Sequence, residues 1–175
     1  MIEKLYPSLA VDSISDISRD FLEKNNIKGL ILDIDNTLVP NHAADADDNA
    51  VKWIESVKAA GYRLCIVSNG SKKRVARFNE RLKLPAIHRA FKPGKRAFEK
   101  AGRMIDSKNE NIAVIGDQIF TDIYGGNRVG MYTILVKPID SHEGKLVRFK
   151  RIFEKHILKR YADEVVLNSN KPDNY

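Results

Sequence analysis

The chain of 175 residues contains one cysteine, Cys65. A lone thiol excludes an intramolecular disulfide and fits a reducing compartment. The four histidines, His42, His88, His142 and His156, show no metal-ligand spacing, which excludes zinc modules built on Cys/His pairs. No apolar run approaches the roughly 20 residues that span a bilayer. Residues 1–9 carry Glu3 and Pro7 and no apolar core, so no secretory signal is expected and the cytoplasm is the expected compartment. Internal repeats, low-complexity tracts and Gly/Ser linkers are also missing, which predicts one compact domain over residues 1–175.

The composition supports a folded core. Apolar residues make up 43%, and a formal net charge of +7 is too small for intrinsic disorder. The basic excess favours anionic partners: phosphorylated metabolites, nucleic acid or an acidic membrane surface. Short apolar runs predict strands over 27–32, 62–67, 111–115 and 131–136. Amphipathic stretches predict helices over 47–60, 71–82, 95–104 and 121–128. Strands alternating with helices predict an α/β, Rossmann-like three-layer sandwich with a mainly parallel central sheet. In such sheets ligands sit beyond the carboxyl ends of the strands.

Polar residues gather at that edge. Asp33-Ile34-Asp35-Asn36-Thr37-Leu38 places two carboxylates where a buried strand runs out. They can converge on a hard cation such as Mg²⁺, and one carboxylate could attack phosphorus while its neighbour handles protons. The same string also builds an ordinary turn or cap. Ser68-Asn69-Gly70 offers a hydroxyl, an amide and backbone N–H groups to phosphate, or simply caps a helix. Lys92 can neutralise a transferring phosphoryl group, or be a solvated surface lysine. In Gly116-Asp117-Gln118-Ile119-Phe120-Thr121-Asp122, Asp117 can reach a metal and Asp122 can orient Lys92; the alternative is a capped strand-to-helix turn. Four such elements in this order point jointly to phosphoryl transfer.

The order resembles the haloacid dehalogenase (HAD) superfamily of aspartate-nucleophile phosphatases: D-x-D-x-T, then Ser or Thr, then Lys, then G-D-x(3–4)-D. Leu32 to Val39, Ile66-Val67-Ser68-Asn69, Lys92-Pro93 and Val114-Ile115-Gly116-Asp117-Gln118 resemble the YqeG-type, subfamily IIIA members more closely still, over roughly residues 1–160. Gly125-Gly126-Asn127-Arg128 and Thr133-Ile134-Leu135-Val136 extend the match. The resemblance implies Asp33 as nucleophile and Asp35 as general acid, then base. It implies Ser68 and Asn69 at the phosphoryl group and Lys92 as the charge stabiliser. Mg²⁺ would be held by Asp33, the Asp35 backbone carbonyl and Asp117, with Thr37 and Asp122 as outer partners. YqeG-type proteins resemble phosphatases of phosphatidylglycerophosphate, which implies a lipid substrate in phosphatidylglycerol and cardiolipin synthesis.

Spacing bears on the substrate. Neither 37–47 nor 69–92 has room for an inserted cap domain, so a capless (C0-type) HAD fold with an open site is expected. An open site suits a phosphate carried on something large. Residues 145–160 hold seven basic residues against Glu154 alone, with Leu146, Phe149, Phe153, His156 and Ile157 on one helical face. This predicts a basic amphipathic helix over 142–161 that lies on an anionic inner membrane face or packs that stripe on the sheet. Residues 1–26 are expected to pack on the core and 168–175 to fray. Two alternatives stand beside the lipid phosphatase. One is a phosphatase for a soluble metabolite whose site an oligomer partner covers. The other is a non-catalytic RNA- or phosphate-binding protein, with nucleic acid disfavoured because Phe149 and Phe153 fall on the stripe expected to be buried. His42 is placed near the site entrance, Trp53 and Cys65 in the core, and 125–130 is not a dinucleotide loop because its glycine spacing is wrong.

Overall fold

A computed structural model describes residues 2–41, 43, 48–140 and 145–169, with side chains in the last helix described at 147, 149 and 150 and from 151 to 163. The strands are β1 (Leu9–Val11), β2 (Gly29–Leu32), β3 (Arg63–Val67), β4 (Ala86–Ile87), β5 (Ile112–Gly116) and β6 (Tyr132–Val136). The helices are α1 (Arg19–Lys24), α2 (Asp48–Ala59), α3 (Lys72–Phe78), α4 (Lys95–Met104), α5 (Tyr124–Asn127) and α6 (Lys145–Ser169). All strands run parallel in one sheet of order β1-β6-β5-β2-β3-β4. The four strands predicted from apolar runs are its four central ones.

Strand alternation sorts the core into layers. Leu30, Leu32, Ile66, Ala113, Ile115 and Ile134 pack with Leu22 of α1, Ile54 and Val57 of α2 and Phe78 of α3. Ile31, Cys65, Val67 and Val114 turn the other way onto Ala97, Phe98 and Ala101 of α4. Leu135 alternates with Ile134, so it faces the α4 side too, where Ile119, Ile123 and Ile157 of α6 cover it. Burying Phe98 alone contributes about 2 kcal/mol. Gly125 is needed there, because a Cβ would collide with the Phe98 ring. Helices therefore cover both faces of a parallel sheet, the predicted three-layer sandwich.

Several elements differ from the sequence expectations. β1 and β4, of three and two residues, extend the sheet at its two edges. α3 stops at Phe78 rather than near 82. Asn79 Oδ1 accepts from Leu84 N (2.9 Å) and Asn79 Nδ2 donates to Leu84 O (2.7 Å), folding the chain back. Residues Ile119–Ile123 form a π-helical turn ahead of α5 instead of one regular helix. Of the two arrangements open for α6, packing of the whole stripe on the sheet is not seen: Glu154 and Ile157 are buried, whereas Phe149, Phe153 and His156 are exposed. Beneath Arg151 and Glu154 the helix meets Asp117 and the Ile119 N–H, while Ile157 packs on Ile119, Ile123 and Leu135, and the phenylalanines turn outward. Leu146, His42 and His142 lie outside the described residues or side chains, as does the tail beyond Ser169.

Candidate active site

β2, β3 and β5 deliver the functional residues to one edge of the sheet. Asp33 stays in the ladder, its N–H donating to Ile115 O (3.0 Å), so the carboxylate leaves directly from a strand buried on both faces. The chain then turns sharply. Asn36 adopts φ 62°, a left-handed conformation that Asn tolerates well, and its N–H donates to Val39 O (2.7 Å). This turn brings Asp35 to the mouth, where Arg74 of α3 holds it. Arg74 Nε and Nη2 lie 3.0 and 2.8 Å from Asp35 Oδ1.

Lys92 is the centre of the site. Its Nζ donates to Asp33 Oδ1 and Asp122 Oδ1, each at 2.6 Å, and the side chain is only 3% exposed. Asn69 fixes the lysine's backbone: its Oδ1 accepts from Lys92 N (2.7 Å) and its Nδ2 donates to Lys92 O (3.3 Å). Ser68 Oγ accepts from Gly70 N (3.0 Å), leaving the hydroxyl hydrogen to donate to a ligand. Asp122 is locked on its other oxygen by Thr121 Oγ1 (3.0 Å) and Gln118 N (3.3 Å). Gly116 makes this possible, because a Cβ there would overlap Asp122 Cβ and Cγ.

Asp33, Asp117 and Asp122 form a buried trio whose nearest carboxylate oxygens lie within 4.8 Å of one another. Thr37 Oγ1 donates to Asp117 Oδ1 (3.3 Å). Arg151 of α6 binds the other oxygen of Asp117 and also Glu154 Oε2 (2.8 Å), while Glu154 Oε1 accepts from Ile119 N (2.9 Å). Four buried carboxylates thus face two cations, Lys92 and Arg151. The electrostatics express that excess. Burial raises the Asp33 carboxyl to about 7, with Asp122 and Asp35 adding to the rise and Lys92 opposing it. Asp117 is raised to about 8 by burial and by Asp33 and Asp122, against Arg151. Burial would lower Lys92, but Asp122 and Asp33 raise it, so it stays charged. An all-oxygen cluster with surplus negative charge fits a hard divalent cation.

The sequence-predicted residues Asp33, Thr37, Ser68, Asn69, Lys92, Asp117 and Asp122 come together, with Asp35 at the rim on Arg74. Arg74, Arg151 and Glu154 were missing from the sequence reading. Arg74 carried a faint signal as part of the basic helix after Ser68. Arg151 and Glu154 show only as an Arg-x-x-Glu pair inside a basic stretch.

Comparison with known proteins places these features in a family. The family model for mitochondrial PGP phosphatase matches residues 2–140. A probable phosphatase, YqeG of Bacillus subtilis, is 42% identical over 159 residues, covering 90% of this chain and 92% of its own. Phosphatidylglycerophosphate phosphatase 1, chloroplastic/mitochondrial, of Arabidopsis thaliana is 28% identical over 166 residues. That match covers 89% of this chain and 47% of the plant protein. Among solved structures, a HAD-superfamily hydrolase from Ehrlichia chaffeensis shares the fold with a TM-score of 0.53 at 15% identity, over 75% of this chain and 98% of that one. A catalytic edge assembled from β2, β3 and β5 and a family match across four fifths of the sequence agree: the chain belongs to the PGP phosphatase family of HAD-type phosphoric monoester hydrolases.

Proposed function

We propose that this phosphatase is Mg²⁺-dependent, works through a phospho-aspartate on Asp33, and acts on phosphatidylglycerophosphate at an anionic membrane surface. The observation that carries the mechanism is Lys92 Nζ held between Asp33 and Asp122 at 2.6 Å, beside Asp117. Lys92 cancels charge on both the nucleophile and an incoming phosphoryl group, and Asp122 keeps it in place. Asp33 attacks phosphorus, the ester P–O bond breaks, and Asp35 gives its proton to the leaving alkoxide. Asp35 then takes a proton from water, which attacks the acyl phosphate and releases inorganic phosphate. Ser68 donates its hydroxyl hydrogen to a phosphoryl oxygen. Mg²⁺, held by Asp33, Asp117 and the Asp35 carbonyl, supplies further charge neutralisation when bound.

Two observations favour the lipid. Relatives in the same family are named for phosphatidylglycerophosphate. The outward face of α6 bears Phe149, Ile152 and Phe153, 61%, 56% and 50% exposed, interleaved with Lys150, Lys155 and Lys159. Basic residues interleaved with exposed aromatics suit adsorption to an anionic leaflet, each basic residue contributing up to about 1 kcal/mol. No helix among the described residues is long and apolar enough to cross a membrane.

The test is phosphate release from phosphatidylglycerophosphate in mixed micelles, with Mg²⁺ or EDTA, for wild type and Asp33→Asn. Mg²⁺-dependent turnover that Asp33→Asn abolishes supports the proposal. Hydrolysis of an aryl phosphate without turnover of the lipid would leave the mechanism and remove the substrate.

A further inference from the structure

Just beyond β3, Ser71 caps α3, its hydroxyl accepting from Arg74 N (3.2 Å). Val75 and Phe78 bury the inner face of this helix, so the Arg74 side chain leaves a fixed backbone. Its stem crosses the Gly70 peptide closely: a Cβ on Gly70 would stand 3.3 Å from Arg74 Cγ. The guanidinium carbon lies 5.9 Å from the centre of the Phe78 ring, a cation–π contact, and the group reaches Asp35. Asp35 is less well supported. It precedes the left-handed turn at Asn36, and its side chain is 31% exposed against 19% for Arg74. A carboxylate this exposed has little packing to fix its rotamer.

The contact between the two is one-sided. Arg74 Nε (3.0 Å) and Nη2 (2.8 Å) both donate to Asp35 Oδ1 rather than one to each oxygen. An oxygen that accepts two N–H bonds is poorly placed to hold a proton as well. The proton that Asp35 exchanges with a leaving group or with water therefore sits on Oδ2. Arg74 thus sets both the orientation of the carboxyl plane and the oxygen that carries the proton.

We propose that Arg74 is a positioning residue for the reaction, holding Asp35 so that Oδ2 delivers its proton to the departing ester oxygen. The inference rests on the acid–base role given to Asp35 above and adds what fixes that side chain at the rim. As Asp33 bonds to phosphorus and the ester P–O bond breaks, the proton passes from Asp35 Oδ2 to the departing oxygen, and Asp35 becomes a carboxylate. Negative charge develops on the group that Arg74 already grips, so the contact strengthens as the proton leaves. Oδ2 then takes a proton from the water that attacks the acyl phosphate, which restores the starting pair. Arg74 keeps its charge throughout.

The test is kcat/KM on dinitrophenyl, nitrophenyl, phenyl and benzyl phosphate, which share a ring and differ in how much the departing oxygen needs a proton. Wild type, Arg74→Met, Arg74→Lys and Asp35→Asn are compared with Mg²⁺ present. Because kcat/KM covers steps only up to phospho-aspartate formation, its later hydrolysis does not enter. Arg74→Met keeps a stem over Phe78 and is expected to lose about 100-fold on benzyl phosphate but no more than about 3-fold on dinitrophenyl phosphate, the cost of a misplaced acid. Arg74→Lys, a point charge without the two-donor edge, falls between wild type and Arg74→Met. Equal losses on every ester in Arg74→Met, the mark of a structural or bulk-charge role, overturn the proposal, as do wild-type values throughout in Arg74→Lys. Asp35→Asn separates the two levels of the argument. A uniform loss there refutes the acid role of Asp35 itself, whereas a loss concentrated on benzyl phosphate beside a uniform one in Arg74→Met refutes the positioning role alone.

Discussion

Replacing Asp33 by Asn removes the nucleophile of the proposed mechanism, yet it should stabilise the metal-free protein. In the folded chain the Asp33 carboxyl is raised from 3.8 to about 7, chiefly by burial. A raised folded value means that the group's stabilising contribution is complete below the unfolded value and is lost as pH climbs through the folded one. At about 1.36 kcal/mol per pH unit, the penalty accumulated between those limits is at most about 4 kcal/mol. Lys92 keeps its 2.6 Å contact with Asp122, so the asparagine does not orphan the lysine. Urea unfolding in EDTA at about pH 8 should therefore find Asp33→Asn more stable than wild type by about 2–4 kcal/mol, with the gap shrinking below half near pH 5. Saturating Mg²⁺ should stabilise wild type and leave the variant nearly unmoved, because a cation bound only to the native state shifts the equilibrium by mass action. An Asp33→Asn protein no more stable than wild type at pH 8, or a gap that grows toward acid, would refute the view that surplus negative charge is held in this site for a cation.

Three further outcomes are expected. Gly116→Ala pushes Asp122 off Lys92 and lowers kcat on an aryl phosphate by 100-fold or more, while thermal unfolding shows a loss of about 2 kcal/mol; near-normal turnover would remove Asp122's positioning role. Phe149→Glu with Phe153→Glu alters two exposed rings packed edge-to-face at 5.2 Å. The Tm should hold within about 2 °C while affinity for anionic vesicles falls at least 10-fold in a vesicle flotation assay, and undiminished binding would exclude this face as the contact. Burial pushes the Cys65 thiol up to about 12, so in native protein at pH 8 it should resist a disulfide reagent for hours and react fully once unfolded in urea.

The sequence was most legible where one physical force decided the outcome. β2 and β5 are covered on both faces, so their apolar runs admit one reading, and Asp33 and Asp117 follow directly at the strand ends. Parallel pairing then brings these ends side by side, since Leu32 stands opposite Ile115. Lys92 was legible by its place after β3 in the motif order, although nothing in a chain of 30 basic residues marks it as buried. β1 and β4 were not legible. Three- and two-residue strands carry no period to recognise, and they exist because β6 and β3 offer unpaired edges from far along the chain.

α6 was misread for a different reason. Hydrophobic periodicity assumes that whatever a helix covers is apolar, which makes Phe149 and Phe153 the natural inward residues. Part of the surface under α6 is the polar segment from Asp117 to Ile119, and what satisfies it is charge and hydrogen bonding: Glu154 takes the Ile119 N–H at 2.9 Å, and Arg151 takes Asp117. Those two contacts fix the helix's rotation, with Ile157 as the apolar anchor, and turn the rings about half-exposed into solvent. A helix that meets a charged site through its polar residues leaves its apolar ones unpartnered. That rotation lets one element touch the buried carboxylate cluster on one side and leave aromatic and basic residues exposed on the other.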